Sequence, residues 1–469
     1  MQYLRYGCWV ILIAIAFTLP ADAGCTKPAC FAETKWHEGF TAVTIDSPAA
    51  SVQHQMAIDL IRASGGYVAL HSNHVLLGWV PPEADHLLIG RYTMGSIHRG
   101  PGTLSKARPP QGRQIGKQRS DDALVEFFES VVSGKLASLI DQGVDMVGPP
   151  LSGDALDNPE TMRKLSAAPR TVLLSPLGGG KFRSIHTENT DGPPWTNDSM
   201  RGEVCVNAFE IESDGSIDPD HFSWTTTQFS QVTTQIMNSV TWWANRAQEH
   251  GVFVSFFFGV WEPYNSNALT GYEPLAHVST DDHKWVNDIL KKQTAGFYGG
   301  RAGGWGAASD DDVASIFAMA EQYNANYNQL NGCNYGFMIF VAADGDTFAG
   351  FPYNGTTQSR SFSYYGGPWM QMTYNNMGWG ISNFHKVMWH ETGHTFWACD
   401  EYYDAPSNTG CFTCNNCRNY GPRVTVSNAN CANPAAGGPC QTHQACIMET
   451  LEAADTNSLC NITQQQIGW

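Results

Sequence analysis

The chain has 469 residues, a formal net charge of −17 and 42% hydrophobic residues, which is enough apolar material for the cores of two or three domains. The acidity excludes a continuous basic groove, so nucleic acid is not an expected partner. No apolar run reaches the ~20 residues of a transmembrane helix.

Arg5 precedes an apolar run from Gly7 to Leu19, followed by Pro20 and Ala21-Asp22-Ala23. A charged start, an apolar middle and small residues at the end describe an export signal over residues 1–23, cleaved after Ala23. The mature protein is therefore expected to be secreted. Lipoprotein anchoring through Cys25 is the alternative, but Asp22 stands where such a signal wants an aliphatic residue. Of the 13 cysteines, Cys8 lies in the signal, and the other twelve form an even set for a disulfide-permissive compartment. Eight crowd the end of the chain, between Cys399 and Cys460. There Cys411-x-x-Cys414-x-x-Cys417 reads as disulfides in a loop rich in Asn, Gly and Pro, rather than as a second zinc or iron-sulfur site.

Residues 24–100 carry their own pattern. Phe40 to Asp46 alternates as a strand, Ser51 to Ala63 has helical apolar spacing, and Tyr67 to Leu70 and Val75 to Val80 read as strands joined by a Ser72-Asn73 turn. A short helix from Pro82 to Ile89 and a strand near Tyr92 to Ile97 complete β-α-β-β-α-β, a ferredoxin-like α+β unit. Its topology is similar to that of the small inhibitory propeptides of secreted proteases, so the expectation is a zymogen propeptide or an accessory domain. Residues 24–119 hold ten Lys or Arg against six Asp or Glu, a balance of +4 that leaves −21 for the rest of the mature chain. Opposite charges suit a prosegment lying on its enzyme. The six histidines here, among them His71 and His74, read as solvated strand residues.

Residues 101–200 read as a linker with one amphipathic helix at about 121–142, carrying Leu124, Phe127, Phe128 and Val131. Lys117-Gln118-Arg119 could serve as a maturation cut. Gly178-Gly179-Gly180-Lys181 is not a phosphate loop, because Ser175 replaces its first glycine and Phe182 its Ser or Thr.

From residue 201 onward the pattern becomes strand (Glu203 to Ile211), long helix (Thr227 to His250), buried strand (Val252 to Trp261), two helices (Asp281 to Thr294 and Asp310 to Tyr327) and buried strand (Tyr335 to Ala342). Asp310, Asp311 and Asp312 read first as the charged start of a helix, with Ca2+ as the alternative reading. Asp344-Gly345-Asp346 lacks the full calcium-loop pattern. Phe362 to Tyr374 is aromatic and partly alternating, and Pro368 argues for an edge strand, which could bind an extended peptide by strand addition.

The strongest chemical signal is His390-Glu391-Thr392-Gly393-His394, on a helix expected to be capped by Ser382 or Asn383. Helical residues four apart share a face, so both imidazoles can reach one Zn2+. Glu391 lies in the same arc and could take a proton from a water beside the metal. A catalytic zinc needs a third protein ligand. Asp400 follows His394 by six residues, and in a continued helix it would lie ~9 Å further along the axis. The helix must therefore end near Trp397.

In these features the chain resembles the metzincin clan of zinc metallopeptidases, nearest the secreted bacterial IgA-peptidase-like members, whose motif also runs on into Asp-Glu-Tyr, here Asp400-Glu401-Tyr402. The resemblance implies a metzincin-like catalytic domain over residues 201–469, with a twisted mixed sheet, an active-site helix and a methionine turn. It assigns zinc to His390, His394 and Asp400, and Cys446-Ile447-Met448 would place Met448 beneath the metal. Two positions depart from the pattern: Trp397 replaces the glycine of the turn, and Thr450 stands where several members have a transition-state tyrosine. Glu401 and Glu449 remain alternative third ligands. The expected function is a secreted zinc endopeptidase acting on a protein or peptide substrate, with Glu391 as general base. The alternatives are an inert zinc-stabilised extracellular binding or adhesion module, or a zinc hydrolase of a non-peptide amide or ester.

Overall fold

The computed structural model describes residues 39–46, 51–91, 95–104, 120–133, 135–136, 197–219, 222–263, 265–276, 283–297, 313–344, 351–353, 357–359, 361–376, 379–401, 423, 426, 430, 444–448 and 458–469. The signal segment, Cys25, Lys117 to Arg119, Asp310 to Asp312, Asp346, Cys411 to Cys417, Glu449 and Thr450 lie outside them.

Nine strands form one continuous path. The front piece supplies β1 (Phe40–Thr44), β2 (Tyr67–His71), β3 (Val75–Trp79) and β4 (Ser96–Arg99), and the later part supplies β5 (Gly202–Ser213), β6 (Val254–Trp261), β8 (Tyr335–Ala342), β11 (Phe362–Ser363) and β12 (Trp369–Thr373), with the short β7 (Leu269–Thr270) beside β5. The order is β11-β12-β8-β5-β6-β2-β3-β1-β4. β12, β8, β5 and β6 run parallel, while β11 is an antiparallel edge. A hairpin of β9 (Phe351–Tyr353) and β10 (Thr357–Ser359) stands apart.

β5 is buried along almost its whole length, as a central parallel strand covered on both faces should be. Its residues alternate between two cores: Val204, Val206 and Ala208 face one, and Cys205, Phe209 and Ile211 the other. Helix α3 (Thr226–Glu249) lies on the first side with α6 (Phe384–Thr395). It is started by a capping box between Thr225 and Gln228. Helices α4 (His283–Phe297) and α5 (Val313–Asn331) cover the second side. The result is a mixed α/β arrangement, with helices interleaved with strands more than the expected α+β class implies. A Cys205–Cys333 disulfide ties β5 to the turn before β8. No helix among the described residues is long and apolar enough to cross a membrane.

The front piece has the expected topology, and it is joined to the later part of the chain through the sheet. Its own order is β2-β3-β1-β4 with all neighbours antiparallel, and α1 (Val52–Ala63) is capped by Ser51. The second helix shrinks to a 3-10 turn at Pro82–Ala84 and a π turn at His86–Arg91, and β4 begins later than its composition suggests. Yet β2 pairs in parallel with β6, so this unit extends the sheet of the later domain. The junction is sealed by buried polar contacts. His71 Nε2 lies 2.7 Å from Glu203 Oε2, His54 Nε2 lies 3.2 Å from His71 Nδ1, and Tyr67 donates to Asn245 at 2.7 Å. His71 is thus a core residue rather than a solvated one. Helix α2 (Ser120–Val132), expected as an island in a linker, brings Phe127 and Phe128 against Phe40 in the same core as β5.

Four strand spacings of ~4.8 Å, about 19 Å in all, separate β2 from β12. The described front piece therefore sits at the sheet edge opposite β11 and α6, and a propeptide lying over the histidine helix is not what residues 39–104 form. If the chain is nicked with trypsin between residues 106 and 119, the two pieces should co-elute on size exclusion in native buffer and separate only in denaturant. Separation in native buffer would contradict the shared sheet.

Candidate metal centre

Helix α6 carries the centre, and its surroundings specify the side chains on it. The expected cap is absent: a 3-10 turn at Ile381–Asn383 leads into the helix, and Asn383 donates instead to the Trp379 carbonyl at 2.9 Å. His390 Nδ1 lies 2.9 Å from the Ile447 carbonyl, and His394 Nδ1 lies 2.7 Å from the Ala398 carbonyl. A carbonyl oxygen only accepts, so each Nδ1 carries a proton and Nε2 is the nitrogen left to face a cation, as a lone pair once the ring is neutral. The two Nε2 atoms are 3.0 Å apart. Asp400 Oδ1 lies 2.9 Å from that of His390 and 3.2 Å from that of His394.

Three buried acceptors thus converge on one point, an arrangement that repels itself unless a cation or a proton lies between them. Bonds of about 2.0–2.1 Å in a tetrahedron put neighbouring zinc ligands about 3.3 Å apart. The residues fit a zinc ion, and they are a group of His and Asp donors suited to one among the described residues.

Asp400 reaches this point because of the turn at Trp397. The Trp397 N–H donates to the His394 carbonyl at 2.9 Å and the Ala398 N–H to the Gly393 carbonyl at 3.0 Å. That pair of bonds is a Schellman motif, with Trp397 at the position that needs a left-handed backbone. Trp397 has φ +73°, where glycine is usual. The conformation costs about 1–2 kcal/mol for an L-residue. The indole offsets this by being buried against Gly366 and the α4–α5 side of the sheet; a Cβ on Gly366 would lie 2.2 Å from the ring. A tryptophan at this left-handed position is thus accommodated by packing.

Met448 sits behind the helix. Its sulfur would be 2.7 Å from a Cβ on Gly393, so the glycine between the two histidines is what lets Met448 approach the helix. Glu401, the alternative ligand, points away from the histidines. It accepts from Cys460 and Thr463 at 2.9 Å and from Asn430 at 2.6 Å, and its own N–H donates to the Met448 carbonyl at 2.7 Å. Burial pushes its carboxyl well up. Cys446 and Cys460 are buried thiols in this cluster, so not all of the twelve cysteines are paired. Asp344 accepts from the Asn375 N–H at 2.8 Å.

Burial also pushes the Glu391 carboxyl up, partly offset by the two histidines. Ser363 on β11 donates within reach of the Glu391 carbonyl at 2.8 Å and of its Oε2 at 3.0 Å. Pro368 lies in the turn after β11, so β11 is the edge and β12 lies inside it, rather than one edge strand spanning both. Ser363 and the two buried carbonyls were not singled out from sequence. Alternation places Ser363 and Tyr365 on one face of a strand, but not which face meets the helix. Compared with family models, with curated proteins and with solved structures, the chain matches none.

Trp397→Gly removes the backbone strain but also the buried indole, whose truncation costs about 3–5 kcal/mol. The variant should be less stable by about 1–4 kcal/mol in denaturant unfolding; an equal or higher midpoint would mean that the turn, not the packing, dominates. A second expectation concerns protons. Burial lowers the pKa of His394, but the facing Asp400 outweighs it and lifts the metal-free group to about 9. Below that pH a cation must displace a proton, so apparent zinc affinity should rise roughly tenfold per pH unit between about pH 6 and 8. Competition titrations with a chelator dye would detect this, and a flat profile would exclude the shared proton.

Proposed function

We propose that this protein is a zinc-dependent hydrolase, and specifically a secreted endopeptidase of the metzincin type nearest the IgA-peptidase-like members. The observation that carries the reading is the convergence of His390, His394 and Asp400 on one point, with the carboxyl of Glu391 held beside them. A structural zinc site needs no such base and is normally closed by four protein ligands.

His390, His394 and Asp400 would hold the ion, which when bound polarises the scissile carbonyl and acidifies a water. Glu391 takes the proton of that water and passes it to the leaving amine. Its raised affinity for protons suits a base that must also act as an acid. Ser363 limits the freedom of the carboxyl. β11, the terminal strand of the path, offers an edge to which an extended peptide can add. The mixed sheet with α6 packed beside β11 and β12 agrees with the twisted mixed sheet and active-site helix that the resemblance implies. Secretion is supported by the signal pattern in residues 1–23 and by the Cys205–Cys333 disulfide.

Glu391→Gln should keep about one zinc per chain while peptide hydrolysis falls by about 10²–10⁴, measured by metal analysis and by a fluorogenic peptide library. Unchanged turnover would refute the base. A zinc-loaded wild-type chain that cleaves esters or non-peptide amides alone would redirect the substrate class, and one that cleaves nothing would leave the binding module.

A further inference from the structure

We propose that Tyr365 is a positioning residue of the metal centre, fixing Asp400 so that one oxygen faces the histidines and the other is held away. The inference rests on the zinc reading and extends it to a residue outside both the helix and the methionine turn. The Tyr365 hydroxyl donates to Asp400 Oδ2 at 3.2 Å, while Oδ1 makes both approaches to the histidine Nε2 atoms. The phenol ring also stands edge-to-face on His394, with centroids 4.8 Å apart and planes at 74°. One side chain thus touches two of the three ligands.

Its backbone is anchored to the same helix end. The Gly366 N–H donates to the His394 carbonyl at 2.9 Å, and the Gly367 N–H closes a turn to the Tyr364 carbonyl at 2.9 Å. The Trp397 indole packs on Gly366, so the turn that delivers Asp400 and the turn that delivers Tyr365 are packed against one another. A free carboxylate can offer one oxygen or two to a cation. Occupying Oδ2 with a hydroxyl favours the one-oxygen mode, which with two imidazoles leaves a position open. Ser363, two residues earlier, holds the base, so a single edge segment constrains both Glu391 and Asp400.

The test uses the full chain and two substitutions. Tyr365→Phe keeps the ring and removes only the hydroxyl; it should leave thermal unfolding in chelator unchanged and weaken zinc binding about tenfold or more. In an Asp400→Ala background, where the partner is gone, the same change should have no further effect on zinc affinity. The cobalt(II)-loaded Tyr365→Phe protein should show weaker visible bands, the signature of a higher coordination number. Zinc affinity within twofold of wild type would overturn the proposal, as would an equal loss in the Asp400→Ala background. If wild type itself binds no zinc, the metal reading falls as well, so the two failures are distinguishable. Should Tyr365→Phe fold poorly, the cobalt spectrum of its folded fraction decides: bands like those of wild type refute the role.

Discussion

The left-handed backbone at Trp397 is the constraint on which the centre depends. A helix that ran on would carry Asp400 away from the histidines; a reversal within two residues of the helix end brings it back to within 3.2 Å of both. The reversal is strained for a residue with a side chain, and it persists because the indole is buried where it also braces the turn carrying Tyr365. Strain, packing and the placement of Asp400 are one arrangement here. The Ala398 carbonyl shows how tightly: its residue's N–H closes the turn, and its oxygen fixes the tautomer of His394.

Two adjacent carboxyls illustrate how chain direction decides chemistry. Asp400 is buried, which opposes ionisation, but the facing His394 and His390 outweigh that and hold its carboxyl far below the ordinary range. Glu401, one residue on, is turned into a nest of Cys460, Thr463 and Asn430, where burial drives its carboxyl upward. The first is charged and faces the two histidines. The second links Met448 to α7 (Asn461–Gln466), beside the Ile447 carbonyl that faces His390.

The sheet supplies the frame for both. Parallel strands β12, β8, β5 and β6 hold α6 against α3, where Trp389 stacks on Trp242 with centroids 4.5 Å apart. At the far edge the front piece continues the same sheet, and its polar seal through His71 and Glu203 lies in the core. A segment built in this way contributes to the body of the fold instead of lying across its cleft.

Much of this was legible from residue pattern alone. β8, from Tyr335 to Ala342, begins and ends where its apolar run does, and α3 and β5 lie within a residue or two of their periodic stretches, because burial and period are local properties of sequence. The pair His390 and His394 follows from helical spacing, and the need for a bend near Trp397 follows from the reach of Asp400. What only the tertiary structure decided are contacts between segments far apart in the chain. Those contacts bring the Asp400 carboxyl to the histidines and turn that of Glu401 toward Cys460, Thr463 and Asn430. They put Ser363 and Tyr365 at the centre and join β2 to β6. Local periodicity cannot carry that information, because strand order and facing depend on closing loops whose ends only the packed core brings together.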